Sequence, residues 1–254
     1  MVRSIITKKY GIDDNSQLLK AGKIIVHVLC ADNIPCLGEG VLSPQELQQA
    51  NRFKFSHDRQ LYVSAHVFLR ETLSQYASIN PDDWHFDKNV YGKPYIDNKE
   101  YNGLRFNLSH TQGLVACVIS YKRSVGIDVE KRRPLNDLEQ LSQQVFSDQE
   151  MTDLLSIDCK QERISRFFTY WTLKEAYIKA RGLGLSLPLK EFSFFRKDGV
   201  WLLHCNPELQ DNGRKWVLTA DEIRKNYHIS ICVEKQMPDE CPHIIWRESE
   251  DCSG

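Results

Sequence analysis

The chain lacks a dominant charge. Its 33 Lys and Arg residues face 34 Asp and Glu, leaving a formal charge of −1. No whole-molecule field therefore draws it to nucleic acid, and only a local basic patch could do so. Long hydrophobic runs are lacking too. The stretch Ile24 to Ala31 is interrupted by His27 and is far too short to span a bilayer. Met1 to Tyr10 has no apolar core of the signal-peptide kind. The expectation is a soluble, cytoplasmic protein with neither a membrane nor a nucleic-acid partner.

Cysteine is not scarce, but its pattern is. Cys30, Cys36, Cys117, Cys159, Cys205, Cys232, Cys241 and Cys252 include no C-x-x-C pair, which removes the local signature of a zinc site. Cys117 and Cys232 lie in apolar, strand-like runs where a thiol behaves as a small core residue, and reduced cysteines are expected. There is no Walker loop, no G-x-G-x-x-G and no G-x-S-x-G. Low-complexity stretches and Pro/Ser-rich linkers are also missing. What remains is ordinary globular composition, 41% hydrophobic and 26% charged over 254 residues. That is enough chain to bury a core without staples, as one large domain or two small ones.

A weak internal repeat divides the chain. Strand-like Ile24–Leu29 precedes Ser43-Pro44-Gln45-Glu46 and a long helical stretch ending near Arg70-Glu71. Strand-like Val125–Glu130 precedes Ser147-Asp148-Gln149-Glu150 and a helical stretch carrying Lys174-Glu175. Both Ser-x-x-Glu segments are capping boxes, in which serine and glutamate satisfy each other's free backbone donors at a helix start. Ser43 to Arg70 and Ser147 to Lys174 are equal distances. Any two αβ units share some of this pattern. Further strands are expected at 84–87, 95–97, 105–108, 114–119, 192–195, 200–204, 216–220 and 227–233, separated by turns such as Asn102-Gly103 and Asp198-Gly199. The fold class is α+β, in two similar halves.

Three segments carry chemistry. In Gly126-Ile127-Asp128-Val129-Glu130 a strand places Asp128 and Glu130 on one face. Two like charges there invite a cation, and Mg²⁺ suits oxygen ligands, although solvated acids on an exposed edge fit the same pattern. On the helix after Lys160, the residues Ile164, Phe167, Phe168, Trp171 and Ile178 form an apolar stripe. Glu175 falls at its centre, Lys179 near one edge and Lys174 at the other. A carboxylate inside an aromatic stripe needs a pair or a metal. Third, Phe106-Asn107-Leu108-Ser109-His110-Thr111 reads as a strand ending in small polar donors that could meet a phosphate, or as a satisfied turn. Gly182-Leu183-Gly184 reads as a helix C-cap and loop.

Together, Tyr91-Gly92-Lys93-Pro94, Phe106 to His110, Gly126 to Glu130 and Trp171-Thr172-Leu173-Lys174-Glu175-Ala176, followed by Gly184-Leu185-Ser186-Leu187-Pro188-Leu189, resemble the 4′-phosphopantetheinyl transferases. The likeness is to their larger, two-half, surfactin-synthetase-activating type, over about residues 40 to 195. It implies two αβ halves related by pseudo-twofold symmetry, 1–123 on the coenzyme A 3′-phosphate side and 124–254 on the Mg²⁺ and pyrophosphate side. It further implies a monomer that binds coenzyme A where its halves meet and gives the phosphopantetheine arm to a serine of an apo carrier protein. Asp128, Glu130 and Glu175 would hold Mg²⁺, or Mn²⁺, which the same ligands suit. Asp128, Glu175 and Lys179 would be catalytic, with Glu175 the base for the carrier serine and Lys179 facing the pyrophosphate. Ser109 and His110 would contact coenzyme A phosphates, Lys93 and Pro94 would lie near the adenosine 3′-phosphate, and Arg59 is a further candidate for it.

Glu46 and Gln49 stand where some relatives carry phosphate-binding lysines. Glu150 matches an acidic family position that its capping box explains equally well. Carrier proteins of this class are generally acidic, and Lys122-Arg123 and Lys131-Arg132-Arg133 are candidates for a docking surface or simply solvated turns. A Mg²⁺-dependent nucleotide pyrophosphate hydrolase and a non-catalytic coenzyme A- or carrier-binding module are the rival readings.

Overall fold

The computed structural model describes residues 12–31 and 38–248. The N-terminal segment Met1–Tyr10, Cys36 and Cys252 lie outside the described residues. In chain order the elements are α1 (Ile12–Lys20), β1 (Ile24–Cys30), α2 (Pro44–Ala50), α3 (Ser56–Leu73), β2 (Phe86–Lys88), β3 (Pro94–Ile96), β4 (Leu104–Thr111), β5 (Leu114–Tyr121) and β6 (Val125–Lys131). They continue with α4 (Leu138–Val145), α5 (Asp148–Leu155), α6 (Lys160–Arg181), β7 (Phe192–Lys197), β8 (Val200–Cys205), β9 (Trp216–Ile223), β10 (Tyr227–Glu234) and β11 (Ile244–Glu248). The architecture is α+β, as expected.

Each helical stretch of the repeat is two helices rather than one. The capping boxes at Ser43/Glu46 and Ser147/Glu150 both form, but they open short helices, α2 and α5, that stop before α3 and α6 begin. A capping box fixes where a helix starts and says nothing about how far it runs. Gly182 closes α6 at φ 67°, a left-handed C-cap that glycine adopts without Cβ strain.

The chain divides into two compact units. Among the described residues the first comprises 12–31, 38–88, 94–122 and 243–248; its sheet has the order β11-β1-β5-β4. β5 is buried along nearly its whole length, which its continuous apolar run requires. The C-terminal β11 pairs in parallel with β1, Ile24 opposite Ile244. Arg247 on it donates to Asn15 at 2.9 Å and to the Tyr76 hydroxyl at 3.3 Å, and His27 meets that hydroxyl at 2.6 Å. This unit has its own core around Ile25, Leu29, Phe68, Leu73, Trp84 and Cys117.

The second unit comprises residues 89–93 and 123–242, with a sheet of order β6-β10-β9 and a β7-β8 hairpin. Helix α6 packs on β6, β10 and β9. Its core gathers Phe146, Phe167, Phe168, Leu173, Tyr177, Phe192, Phe194 and Trp216. Among the described residues no helix is long and apolar enough to cross a membrane.

Candidate functional site

The site in the second unit starts from a glycine. On β6, a Cβ at Gly126 would stand 2.0 Å from the Ala176 carbonyl oxygen and 2.5 Å from the Ala180 nitrogen of α6. Only glycine lets the helix backbone come this close to the strand. Asp128 and Glu130 follow on the same face, because side chains alternate along a strand. Their cross-strand partners on β10 are Ser230 and His228. Ser230 bonds Thr172 of α6 at 2.8 Å, and His228 contacts Ser165 at 3.4 Å and Thr169 at 3.3 Å. This face of β6 and β10 therefore lies under α6, not in open solvent.

Asp128 is buried, and Lys179 of α6 reaches it with an Nζ–Oδ1 distance of 2.7 Å while also donating to the Ile127 carbonyl at 3.2 Å. Glu130 is half-buried. Burial and then the Asp128 charge push its carboxyl up to about 7, against the opposing pull of Arg133, Lys179 and a hydrogen bond from Trp171. Glu175 is raised as well, by burial first and Asp128 second, with Lys179 opposing. Asp128, Glu130, Glu175 and Lys179 thus share one electrostatic neighbourhood, with three carboxylates around one ammonium. Two carboxylates, Glu130 and Glu175, held above their ordinary range by burial and by the Asp128 charge, form with Asp128 a donor set whose chemistry suits a hard divalent cation. Among the described residues, however, no three His, Cys, Asp or Glu side chains are gathered closely enough to hold an ion.

The expected centre of the α6 stripe needs correction. Glu175 is half-buried, whereas its neighbour Lys174, expected at the stripe's edge, is the fully buried charge. α6 is covered on more than one side, so a single-stripe wheel misplaces the residues next to the seam. Lys174 pairs with Glu150 at 2.8 Å and donates to the Leu189 and Phe192 carbonyls at 2.7 and 2.8 Å. Glu150 keeps its capping-box bond to the Ser147 nitrogen and accepts from the Phe194 nitrogen at 2.9 Å. It is a structural anchor buried beneath the helices.

Ser109 and His110 do not end their strand. β4 runs on to Thr111, with Ser109 opposite Ala116 and His110 opposite Val115, so Ser109 is buried and His110 exposed within a continuing ladder. Arg59, on α3, forms an ion pair with Glu39 at 2.9 Å. Pro94 opens β3, half-buried. Lys93 belongs to the second unit, where its Nζ donates to the carbonyls of Val125 and Ala180 at 3.2 Å each. Beside it Asn89 donates to the Gly182 carbonyl at 2.7 Å, so residues 89–93 satisfy free carbonyls at the C-terminus of α6. Arg123, a candidate for an exposed docking surface, is buried and paired with Glu240 at 2.8 Å. Sequence reasoning missed the Trp171–Glu130 contact. The signal was present, since an i,i+4 spacing puts Trp171 directly beneath Glu175 on the helix.

Comparison with known proteins gives the family. Residues 124–232 match the family model of the 4′-phosphopantetheinyl transferase superfamily, and residues 38–122 match that of the 4′-phosphopantetheinyl transferase N-terminal domain. The chain is 30% identical to the 4′-phosphopantetheinyl transferase Sfp of Bacillus subtilis over 209 residues, 82% of this chain and 89% of that protein. It is 32% identical to the transferase gsp of Aneurinibacillus migulanus over 75% of this chain and 76% of that one. To the transferase HetI of Nostoc sp. it is 42% identical over 146 residues, 57% of this chain, and the match spans 61% of that relative's length. The chain belongs to the 4′-phosphopantetheinyl transferase superfamily. With an N-terminal half matched in its own right, it is of the larger, two-half type, a family of transferase enzymes.

Proposed function

We propose that the chain transfers 4′-phosphopantetheine from coenzyme A to a serine of an apo carrier protein, releasing adenosine 3′,5′-bisphosphate. The observation that carries this reading is the Asp128–Lys179 ion pair set in the shared field of Glu130 and Glu175. Phosphoryl transfer of this kind asks a protein mainly for positioning and for charge placed at the pyrophosphate. Asp128 and the Ile127 carbonyl aim the Lys179 ammonium, which neutralises charge developing on the leaving nucleotide. Glu175, its carboxyl raised by burial and by the Asp128 charge, accepts the proton of the carrier serine hydroxyl. Asp128, Glu130 and Glu175 would hold Mg²⁺, or Mn²⁺, which when bound supplies charge neutralisation at the pyrophosphate oxygens. Trp171, donating to Glu130, orients that carboxylate.

In the same reading Ser109, His110 and Arg59 are nucleotide contacts, and Asp128, Glu130, Glu175 and Lys179 are the cation and pyrophosphate contacts. Pro94 stiffens the backbone beside the adenosine, and Lys93, held by the carbonyls of Val125 on β6 and Ala180 on α6, takes a 3′-phosphate contact. The enzyme acts as a cytoplasmic monomer on an acidic carrier, with neither a nucleic-acid nor a membrane partner. Lys122, Lys131, Arg132 and Arg133 are the docking cations that remain once Arg123 is removed.

The test is the intact mass of an apo carrier after incubation with the chain, coenzyme A and Mg²⁺. A gain of one phosphopantetheine that disappears with EDTA and with Glu175→Ala is the expected result. No gain on carriers of several types, with coenzyme A still bound, would leave a binding module. Adenosine 3′,5′-bisphosphate released without a carrier would mean a pyrophosphate hydrolase.

A further inference from the structure

Helix α6 carries two i,i+4 pairs in alternation. Glu175 and Lys179 form one, Tyr177 and Arg181 the other. With about 100° between successive residues, a residue two positions on lies roughly 200° around the axis, so the second pair occupies the face away from the first. That second face is held by a single carboxylate. Asp211 has a side chain with no solvent exposure, and its Oδ2 accepts from the Tyr177 hydroxyl at 2.7 Å, Arg181 at 2.5 Å and the Trp216 indole at 3.0 Å. Lys215 pairs with its other oxygen at 3.2 Å. The Tyr177 ring is wedged against Phe192, Phe194 and Trp216. Burial alone would push Asp211 up, yet these donors and cations hold it below the ordinary carboxylate range, so it remains a charged anchor.

We propose that Asp211 is a positioning residue for the transfer reaction: it fixes the rotation of the last turns of α6, beyond the separately anchored Lys174, from behind, through Tyr177 and Arg181, so that Lys179 meets Asp128 in front. This rests on the functional reading above for its kinetic consequence, but not for its structural one. Side-chain tips stand about 5–6 Å from a helix axis, so a 20° turn moves them by about 2 Å, enough to break a hydrogen bond. Misplacement by about 1 Å can cost about a hundredfold in rate. Upstream, Thr172 and Lys174 anchor α6 to Ser230 and Glu150; past Lys174 the strand side offers Gly126, without a Cβ to interlock, and Asp211 is the side-chain anchor behind Lys179.

The experiment uses the full chain as wild type, Asp211→Asn and the milder Tyr177→Phe, which serves if the first fails to fold. Each is trace-labelled with acetic anhydride, and labelling at individual lysines is read by peptide mass. Lys179 labelling should rise about fivefold or more in the variants, while the buried Lys174 on the same helix keeps its wild-type rate. In the carrier assay kcat should fall about 10- to 100-fold with KM for coenzyme A within about twofold. Unchanged Lys179 labelling overturns the proposal whatever happens to kcat. So does a rise at Lys174 that matches the rise at Lys179, since that is general loosening. If wild type modifies no carrier the functional reading falls, and the labelling still decides the role of Asp211.

Discussion

In the first unit Glu46, on the capping-box helix α2, meets Arg70 on α3 at 2.7 Å, and Arg70 also donates to the Pro81 and Trp84 carbonyls at 2.9 and 3.0 Å. In the second, Glu150, on the capping-box helix α5, meets Lys174 on α6, which also donates to two carbonyls downstream. The two arrangements have the same plan: one acid caps its own helix and holds a cation of the next, and that cation ties down the following loop. The equal spacing from Ser43 to Arg70 and from Ser147 to Lys174 is the trace this plan leaves in the sequence. Beyond the cation the acid recurs but the second cation does not. After Lys174 come Glu175 and, a turn later, Lys179; after Arg70 come Glu71 and Gln75 at the same positions. The framework occurs twice and the Asp128-linked cluster belongs to one copy. A buried ion pair can therefore be scaffold in both halves without marking chemistry in either.

The largest test of this comparison removes the buried cations. The Glu150 side chain is 0% exposed and that of Glu46 12%. Lys174→Met leaves a fully buried charge unpaired and should cost about 3–5 kcal/mol, whereas Arg70→Met should cost roughly 2–3 because Glu46 keeps some water. Denaturant unfolding of both variants measures the difference, and an Arg70 variant that costs more would break the ordering. Next is Gly126→Ala. β1 has no glycine, and the new Cβ in β6 would force α6 away, at about 2–3 kcal/mol of stability. Carrier modification should fall with it, and a variant as active as wild type would show that the close approach at Gly126 does not set the site.

A smaller effect distinguishes the copies through pH. Because the Glu130 carboxyl rises from 4.5 to about 7 in the folded chain, the native state binds the extra proton in that window. Stability must therefore fall as pH rises from about 4.5 toward 7, by roughly 1–3 kcal/mol. Glu130→Gln should flatten that fall. Millimolar Mg²⁺ should flatten it too if the carboxylates hold the ion, and thermal unfolding at several pH values reads both. The smallest expected effect is at the caps. Ser43→Ala and Ser147→Ala should each cost about 1 kcal/mol. The second should cost slightly more, because the Ser147 hydroxyl also donates to Glu150 at 3.2 Å.

Much of this was legible in the residues. The capping boxes, the C-cap at Gly182, the shared face of Asp128 and Glu130 and the strands after Phe192 all follow from local rules, and the structure has them. The breaks at 51–55 and 156–159 did not follow, because the apolar pattern runs on through them. Nor did the exchange of roles between Lys174 and Glu175. A helical wheel assigns one buried side, and α6 is covered by β6 and β10 on one side and by the Phe192–Phe194 strand on another.

By itself the sequence determined the element types, the helix starts at the capping boxes, the stop of α6 at Gly182, and the residues able to bear the chemistry, since caps, turns and side-chain periodicity act over a few neighbours. The tertiary structure decided which charges are scaffold and which are free to act. Lys174 and Glu175 are adjacent in the chain, yet one is fixed beneath the helices and the other stands in the field of Asp128. That distinction depends on which distant carboxylates, Glu150 and Asp128, the fold brings alongside them, and on how little water it leaves there.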